Sequence, residues 1–114
     1  MTKFLILLLL SAFSYANNIA ITIDYGKNRA NKKVYTIYNS GRVSALDLLK
    51  RVADVKVSKG KYKFANSIDG VKSKVKTYGW FYTIDGKATK KMASDYILTN
   101  EKSMTWTYKI SACY

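Results

Sequence analysis

Two pairs of aromatic residues, Trp80 with Tyr82 and Trp106 with Tyr108, each stand two positions apart. On a strand that spacing puts both members of a pair on one face. A large π-face with a polar handle can bury against a flat apolar ligand, or equally against a protein core. Trp80, Phe81 and Tyr82 are consecutive, so they must divide between two faces. A small domain covers only one face of its sheet well. At least one of the three therefore meets solvent, a ligand or a partner. Just upstream, Lys72, Lys74 and Lys76 supply positive charge for anionic groups on such a ligand.

The remaining chemistry is sparse. The chain has no histidine, which removes the commonest general base and metal ligand and rules out a Ser-His-Asp triad. Its one cysteine, Cys113, cannot form an internal disulfide or, without histidine, a Cys/His zinc site. Gly86-Lys87-Ala88-Thr89 lacks the earlier glycine of a phosphate-binding loop. Asp69 and Asp85 each precede a glycine and read as turn residues, not as paired catalytic carboxylates. With 7 acids in all, a hard-cation cage is not expected either. The expectation is a binding protein with no catalytic residues, no metal site and no obligatory cofactor.

The elements that would position the aromatics follow from periodicity. Ile19, Ile21 and Ile23 alternate with polar or small residues and read as the inward face of a strand. After the loop at 26–31, residues 33–38 are rich in β-formers and suggest the second arm of a hairpin. The period then changes. Ala45, Leu48, Leu49 and Val52 recur at helical spacing, with Ser44 as cap and Asp47 three residues on. That predicts a helix over 45–53. Residues 55–64 read as a Lys-interleaved strand with one wet face, closed by a turn at Ser67-Ile68-Asp69-Gly70. Residues 71–78 read as a basic loop. Trp80–Ile84 is a strand leading into an Asp85-Gly86 hairpin turn, residues 92–98 are ambiguous, and 104–110 form the last strand.

The N-terminus reads as a secretory signal. Lys3 precedes the apolar run Phe4–Leu10, and Ser14-Tyr15-Ala16 puts small residues where a signal peptidase cuts. The apolar run is short of the roughly 20 residues that span a bilayer. The expected division is a signal peptide at 1–16 and one domain at 17–114, exported to the periplasm or beyond, with no stable membrane span after cleavage. The net charge is +13, or +12 once Lys3 is removed. A charge of that size favours anionic partners, or simply solubility.

Four motifs in order carry a family resemblance: the helix Val43-Ser44-Ala45-Leu46-Asp47-Leu48-Leu49, then Ser67-Ile68-Asp69-Gly70, Gly79-Trp80-Phe81-Tyr82-Thr83-Ile84-Asp85-Gly86, and Trp106-Thr107-Tyr108. The chain resembles the transcobalamin-like C-terminal domain family, also known as a domain of unknown function (DUF4430). Asp85 departs from the Asn usual in that family's hairpin, and Asn100-Glu101-Lys102 stands where a Gly-Asp turn is common. The resemblance implies an α+β, β-grasp-like two-layer fold with one main helix packed on a mixed β-sheet. It also implies cobalamin, or a similar flat apolar molecule, as the ligand to test first, with Trp80, Tyr82, Trp106 and Tyr108 as the contact set. The alternative reading is a basic envelope protein that binds an anionic polymer or a partner protein, such as an importer component. Nucleic acid is the less favoured polymer, because a stacking platform needs aligned exposed aromatics.

Overall fold

A computed structural model describes residues 18–39, 42–60, 63–74 and 77–110. The expected signal segment at 1–16, Lys76 and Cys113 lie outside the described residues. The chain opens with β1 (Asn18–Asp24), a 3-10 turn (Gly26–Asn28) and β2 (Lys33–Tyr38). Then come β3 (Val43–Ser44), α1 (Ala45–Lys50), β4 (Val55–Val57), β5 (Ala65–Ile68) and β6 (Val71–Lys72). The last elements are β7 (Tyr78–Ile84), β8 (Lys87–Ala88), β9 (Ile97–Leu98) and β10 (Ser103–Ile110).

These strands form three sheets: a five-stranded one in the order β2-β1-β10-β7-β8, a pair β3-β9, and β4-β5-β6. β1 and β10, the first and last strands, run parallel in the middle of the large sheet, with Ile23 beside Trp106. Its other pairings are antiparallel. The inward residues of β1, Ile19, Ile21 and Ile23, are fully buried, and so is Met104 of β10.

The expected fold class, one main helix packed on a mixed sheet in two layers, is corrected. The described residues are mostly β, in three sheets, and their one α-helix has six residues. Length supplies the physical reason. A six-residue helix is about 9 Å long, whereas five strands side by side span roughly 19 Å. One such helix cannot cover that sheet. The hydrophobic core is completed by Leu46, Leu48 and Leu49 of α1, Ala65 and Ile68 of β5, Leu98 of β9 and Ala93. The start of α1 is as expected, since the Asp47 backbone N–H donates to Ser44 Oγ at 3.0 Å. Two further N–H groups of its first turn, on Ala45 and Leu46, donate to the carbonyls of Tyr96 and Ala93. The segment read as ambiguous is thus the cap of the helix and one wall of the core.

Two more readings change. Of the long strand expected over 55–64, the described residues form only Val55–Val57, with a register shift at Lys56/Val57. The expected basic loop contains β6, and a bridge between Lys74 and Tyr78 closes it onto the start of β7. Both Asp-Gly pairs make tight hairpin turns, with positive φ at Asp69, Gly70, Asp85 and Gly86. Among the described residues no helix is long and apolar enough to cross a membrane.

Candidate functional site

Strand pairing settles how the aromatics meet. β7 and β10 are antiparallel, with Trp80 opposite Tyr108 and Tyr82 opposite Trp106. All four nominated rings therefore lie on the inner face of the large sheet, the face that carries Ile21 and Ile23. Phe81 and Thr107 pair on the outer face, where Lys109 Nζ sits 5.2 Å from the Phe81 ring centre. The division of Trp80, Phe81 and Tyr82 between two faces is as strand geometry requires.

The inner-face rings form a wall of two contact groups, one around Trp106 and Tyr82 and one around Tyr108 and Trp80. Trp106 stacks on Tyr82 at 5.1 Å and 23°. Tyr108 packs between Trp80 at 5.2 Å and Tyr78 at 5.4 Å. Tyr25 meets Trp80 edge to face, and Tyr96 meets Tyr82 in the same way. Burial grades along the wall: Trp106 and Tyr108 are only 2% and 6% exposed, while Trp80 and Tyr82 are half-buried. Trp106 and Tyr108 thus serve the core as well as any ligand. Trp80 and Tyr82 are the members with surface to offer.

Most polar handles on the wall are satisfied. Trp80 Nε1 donates to the Val71 carbonyl at 2.8 Å and Tyr108 Oη to the Lys72 carbonyl at 2.7 Å, so β6 is pinned across the aromatics. Tyr82 Oη donates to the Lys91 carbonyl, and Tyr25 Oη to Asp69 Oδ2. Burial pushes the phenol pKa values of Tyr25, Tyr82 and Tyr108 above the usual range. The bonded Asp69 adds to the shift at Tyr25, neighbouring Tyr78 adds to that at Tyr108, and a hydrogen bond with Thr89 opposes it at Tyr82. Among the described buried groups the exception is Trp106, whose Nε1 has no partner. An unsatisfied buried donor costs about 1–3 kcal/mol.

Two clefts adjoin this wall. One, of about 280 Å³, is lined by Phe64, Trp80, Phe81, Tyr82, Met92 and Trp106, among others. It lies where β7 lacks a neighbour. Beyond the Lys74–Tyr78 bridge and before the Thr83–Ala88 pair, no strand among the described residues pairs with the outer edge of β7. The other cleft, of about 550 Å³, is lined by Lys27, Lys74, Lys109, Tyr78 and Tyr108 with no acidic residue among the described lining. The nominated set is therefore split. Trp80, Tyr82 and Trp106 share the first cleft, and Tyr108 belongs with Lys74 to the second. Lys72 lines neither and offers its carbonyl, not its ammonium, to Tyr108.

Sequence reading missed Phe64, Met92 and Lys27, which reach these clefts from distant loops. Phe64, 52% exposed, carried the one available signal, an aromatic beside a lysine in a short polar stretch. Among the described residues no three His, Cys, Asp or Glu side chains cluster as metal ligands would.

The chain belongs to the family described as a domain of unknown function (DUF4430), whose model matches residues 43–109. That stretch runs from β3 and the cap of α1 through both Asp-Gly hairpins into β10. It bears out the transcobalamin-like resemblance of the motifs. No curated protein matches the chain. Among solved structures, a candidate metal-binding protein from Ruminococcus gnavus ATCC 29149 has the same fold. It is 16% identical with a TM-score of 0.66, over 83% of this chain and 98% of that one. Haptocorrin, solved in complex with Cbi, is 8% identical with a TM-score of 0.63, over 82% of this chain and 25% of haptocorrin. At these identities the likeness is one of fold.

Proposed function

We propose that this chain is an exported, non-catalytic module that binds a small, flat, largely apolar ligand in the cleft beside Trp80 and Tyr82, with a corrinoid as the first molecule to test. The observation that carries the reading is the half-buried Trp80/Tyr82 wall over the cleft of about 280 Å³. The fold shared with haptocorrin, itself solved with Cbi, supports the choice of ligand. A cleft of that size falls just below the usual 300–1,000 Å³ of small-molecule sites. It would grip one edge of a corrinoid and leave the rest to another surface. A partner protein at the envelope is therefore part of the proposal.

The test is titration of the processed protein with cobinamide and with cobalamin, following tryptophan fluorescence corrected for ligand absorbance. The expected result is saturable quenching that weakens at least tenfold in Trp80→Ala. No saturable change up to about millimolar ligand, where binding is worth only about −4 kcal/mol, removes the corrinoid. Export is checked by intact mass from the cell envelope. The expected mature chain begins at Asn17, and retention of Met1 contradicts it.

The second cleft favours one further reading, contact with an anionic polymer. Lys27, Lys74 and Lys109 converge there without an acid beside them. Binding through these residues would weaken steeply with salt. Salt-independent capture of an acidic polymer, or none at low salt, dismisses it.

A further inference from the structure

We propose that the Trp106 indole N–H is the anchoring donor of the aromatic cleft, and that the molecule filling the cleft presents an oxygen acceptor, a carboxamide or a carboxylate, to it. The proposal rests on the cleft reading above and narrows the chemistry of its ligand. Trp106 is 2% exposed and lines the cleft. Its Nε1 is buried and has no hydrogen-bond partner. Indole nitrogen only donates, so the partner it lacks is an acceptor. The contrast with its neighbours is what makes the atom informative. The polar groups of Trp80, Tyr82, Tyr108 and Tyr25 on the same wall each have an acceptor within the protein. Buried donors in folded proteins are nearly always satisfied, and an exception calls for a water, a ligand or a functional reason.

Two further features point to the same ligand chemistry. The cleft runs beside the stretch of β7 that has no neighbouring strand, so main-chain groups of that edge can bond to a polar ligand. Its described lining holds Lys63 and Lys109 and no acid, which suits an acceptor, anionic or neutral, over a cation. Tyr82 lies against Trp106 in this cleft. Its half-buried ring stacks on Trp106, and its hydroxyl is tethered to Lys91 in the segment between β8 and β9.

The test is the indole N–H spectrum of the ¹⁵N-labelled, processed chain, whose two tryptophan signals are assigned with Trp80→Phe. Acetamide and acetate are the probes. The Trp106 signal is expected to move downfield and saturate with one or both, while the Trp80 signal, already bonded to Val71, stays in place. A stronger response to acetate identifies a carboxylate, and a stronger response to acetamide a carboxamide. Replacing Trp106 with benzothienylalanine keeps the ring shape and loses the N–H. It should abolish the fragment response and lower affinity for any corrinoid that binds about tenfold, the net value of one hydrogen bond. A Trp106 signal that in the free protein already has the shift and slow exchange of a bonded indole overturns the proposal, because a water then holds the donor. So does a signal unmoved by both probes, even if cobinamide binds. If the probes move it but no corrinoid binds, the donor stands and the corrinoid falls.

Discussion

Asp69 carries more of this architecture than a turn residue needs to. One carboxylate oxygen accepts the Tyr25 hydroxyl, and the other accepts the Asp54 backbone N–H at 2.9 Å. Its own carbonyl accepts from Arg29 at 2.8 Å, and Arg29 also lies over the Tyr25 ring. Its φ is +51°, which Asp tolerates better than most residues. Asp69→Ala should therefore cost about 2–4 kcal/mol in a urea melt, from lost hydrogen bonds and left-handed backbone together. A loss under about 0.5 kcal/mol would mean the bonds carry no net stability. Gly26 is as constrained. Its φ is +64°, and a Cβ there would lie 2.7 Å from the Tyr108 carbonyl oxygen. Gly26→Ala is expected to destabilise by more than about 1 kcal/mol and to perturb Tyr108, visible as a changed near-UV dichroism. Glu101 gives a pH signature. Burial alone pushes its carboxyl up, but hydrogen bonds from the Thr99 backbone and hydroxyl and from Tyr96 outweigh it and hold the pKa below the usual range. A lowered folded pKa contributes stability that is present above the unfolded value of about 4.3 and lost as pH falls through the folded one. Wild type should lose melting temperature more steeply than Glu101→Gln as pH is lowered through that window. Equal slopes contradict the assignment.

At the scale of elements, α1 shows how little helix the core uses. Leu48 and Leu49 are fully buried, so Leu49→Ala should cost about 2–5 kcal/mol. Ser44→Ala removes the cap of a helix with few turns to spare and should cost about 1 kcal/mol. A Leu49→Ala effect well under 1 kcal/mol in denaturant melts would show that the helix is not a core element. β8 is equally telling. Its two residues pair only with Thr83 and Ile84, so most of β7 is left without a neighbour on that side. Exposed strand edges invite further pairing, and nearby lysines such as Lys63 and Lys109 oppose it. The same gap that would be a liability in another domain is here the mouth of the aromatic cleft.

For the molecule as a whole, the buried and half-buried tyrosines set the alkaline limit. Tyr25, Tyr82, Tyr96 and Tyr108 all have phenols pushed up, burial being the first cause in each. A raised folded pKa contributes stability that is fully present below the unfolded value, about 10, and lost as pH climbs through the folded one. Tyrosinate absorbance should therefore rise in two phases, with the late phase coinciding with unfolding. A single phase near the ordinary tyrosine value, with the fold intact, contradicts this. The positive charge acts at the same scale. Among the described residues one ion pair is formed, Lys32 with Asp24 at 3.8 Å. With 20 basic residues against 7 acids, most cations have no carboxylate to pair with. Added salt should screen their mutual repulsion and raise the melting temperature modestly.

Local pattern alone determined a good part of this protein. Alternation in Ile19–Ile23 and Met104–Tyr108, the Ser44 cap and the two Asp-Gly turns depend on neighbours two to four residues away, and each stands where periodicity put it. So does the opposition of Trp80 and Tyr82 to Phe81, because successive strand residues must point apart. The fold class was not legible, because helix length was overestimated. Val52 continues the apolar spacing, but the helix ends at Lys50 and the chain turns toward β4. That choice is tertiary, since the sheets, and not a longer helix, cover the core. The site was legible as a list of rings and not as an arrangement. Which of them share a cleft depends on the β7–β10 register and on Phe64 and Met92 arriving from elsewhere in the chain. That Trp106 lacks an acceptor while Trp80 finds one in Val71 depends on where β6 is pinned. A hydrogen-bond partner is a matter of position within a few tenths of an ångström, which only the assembled structure specifies.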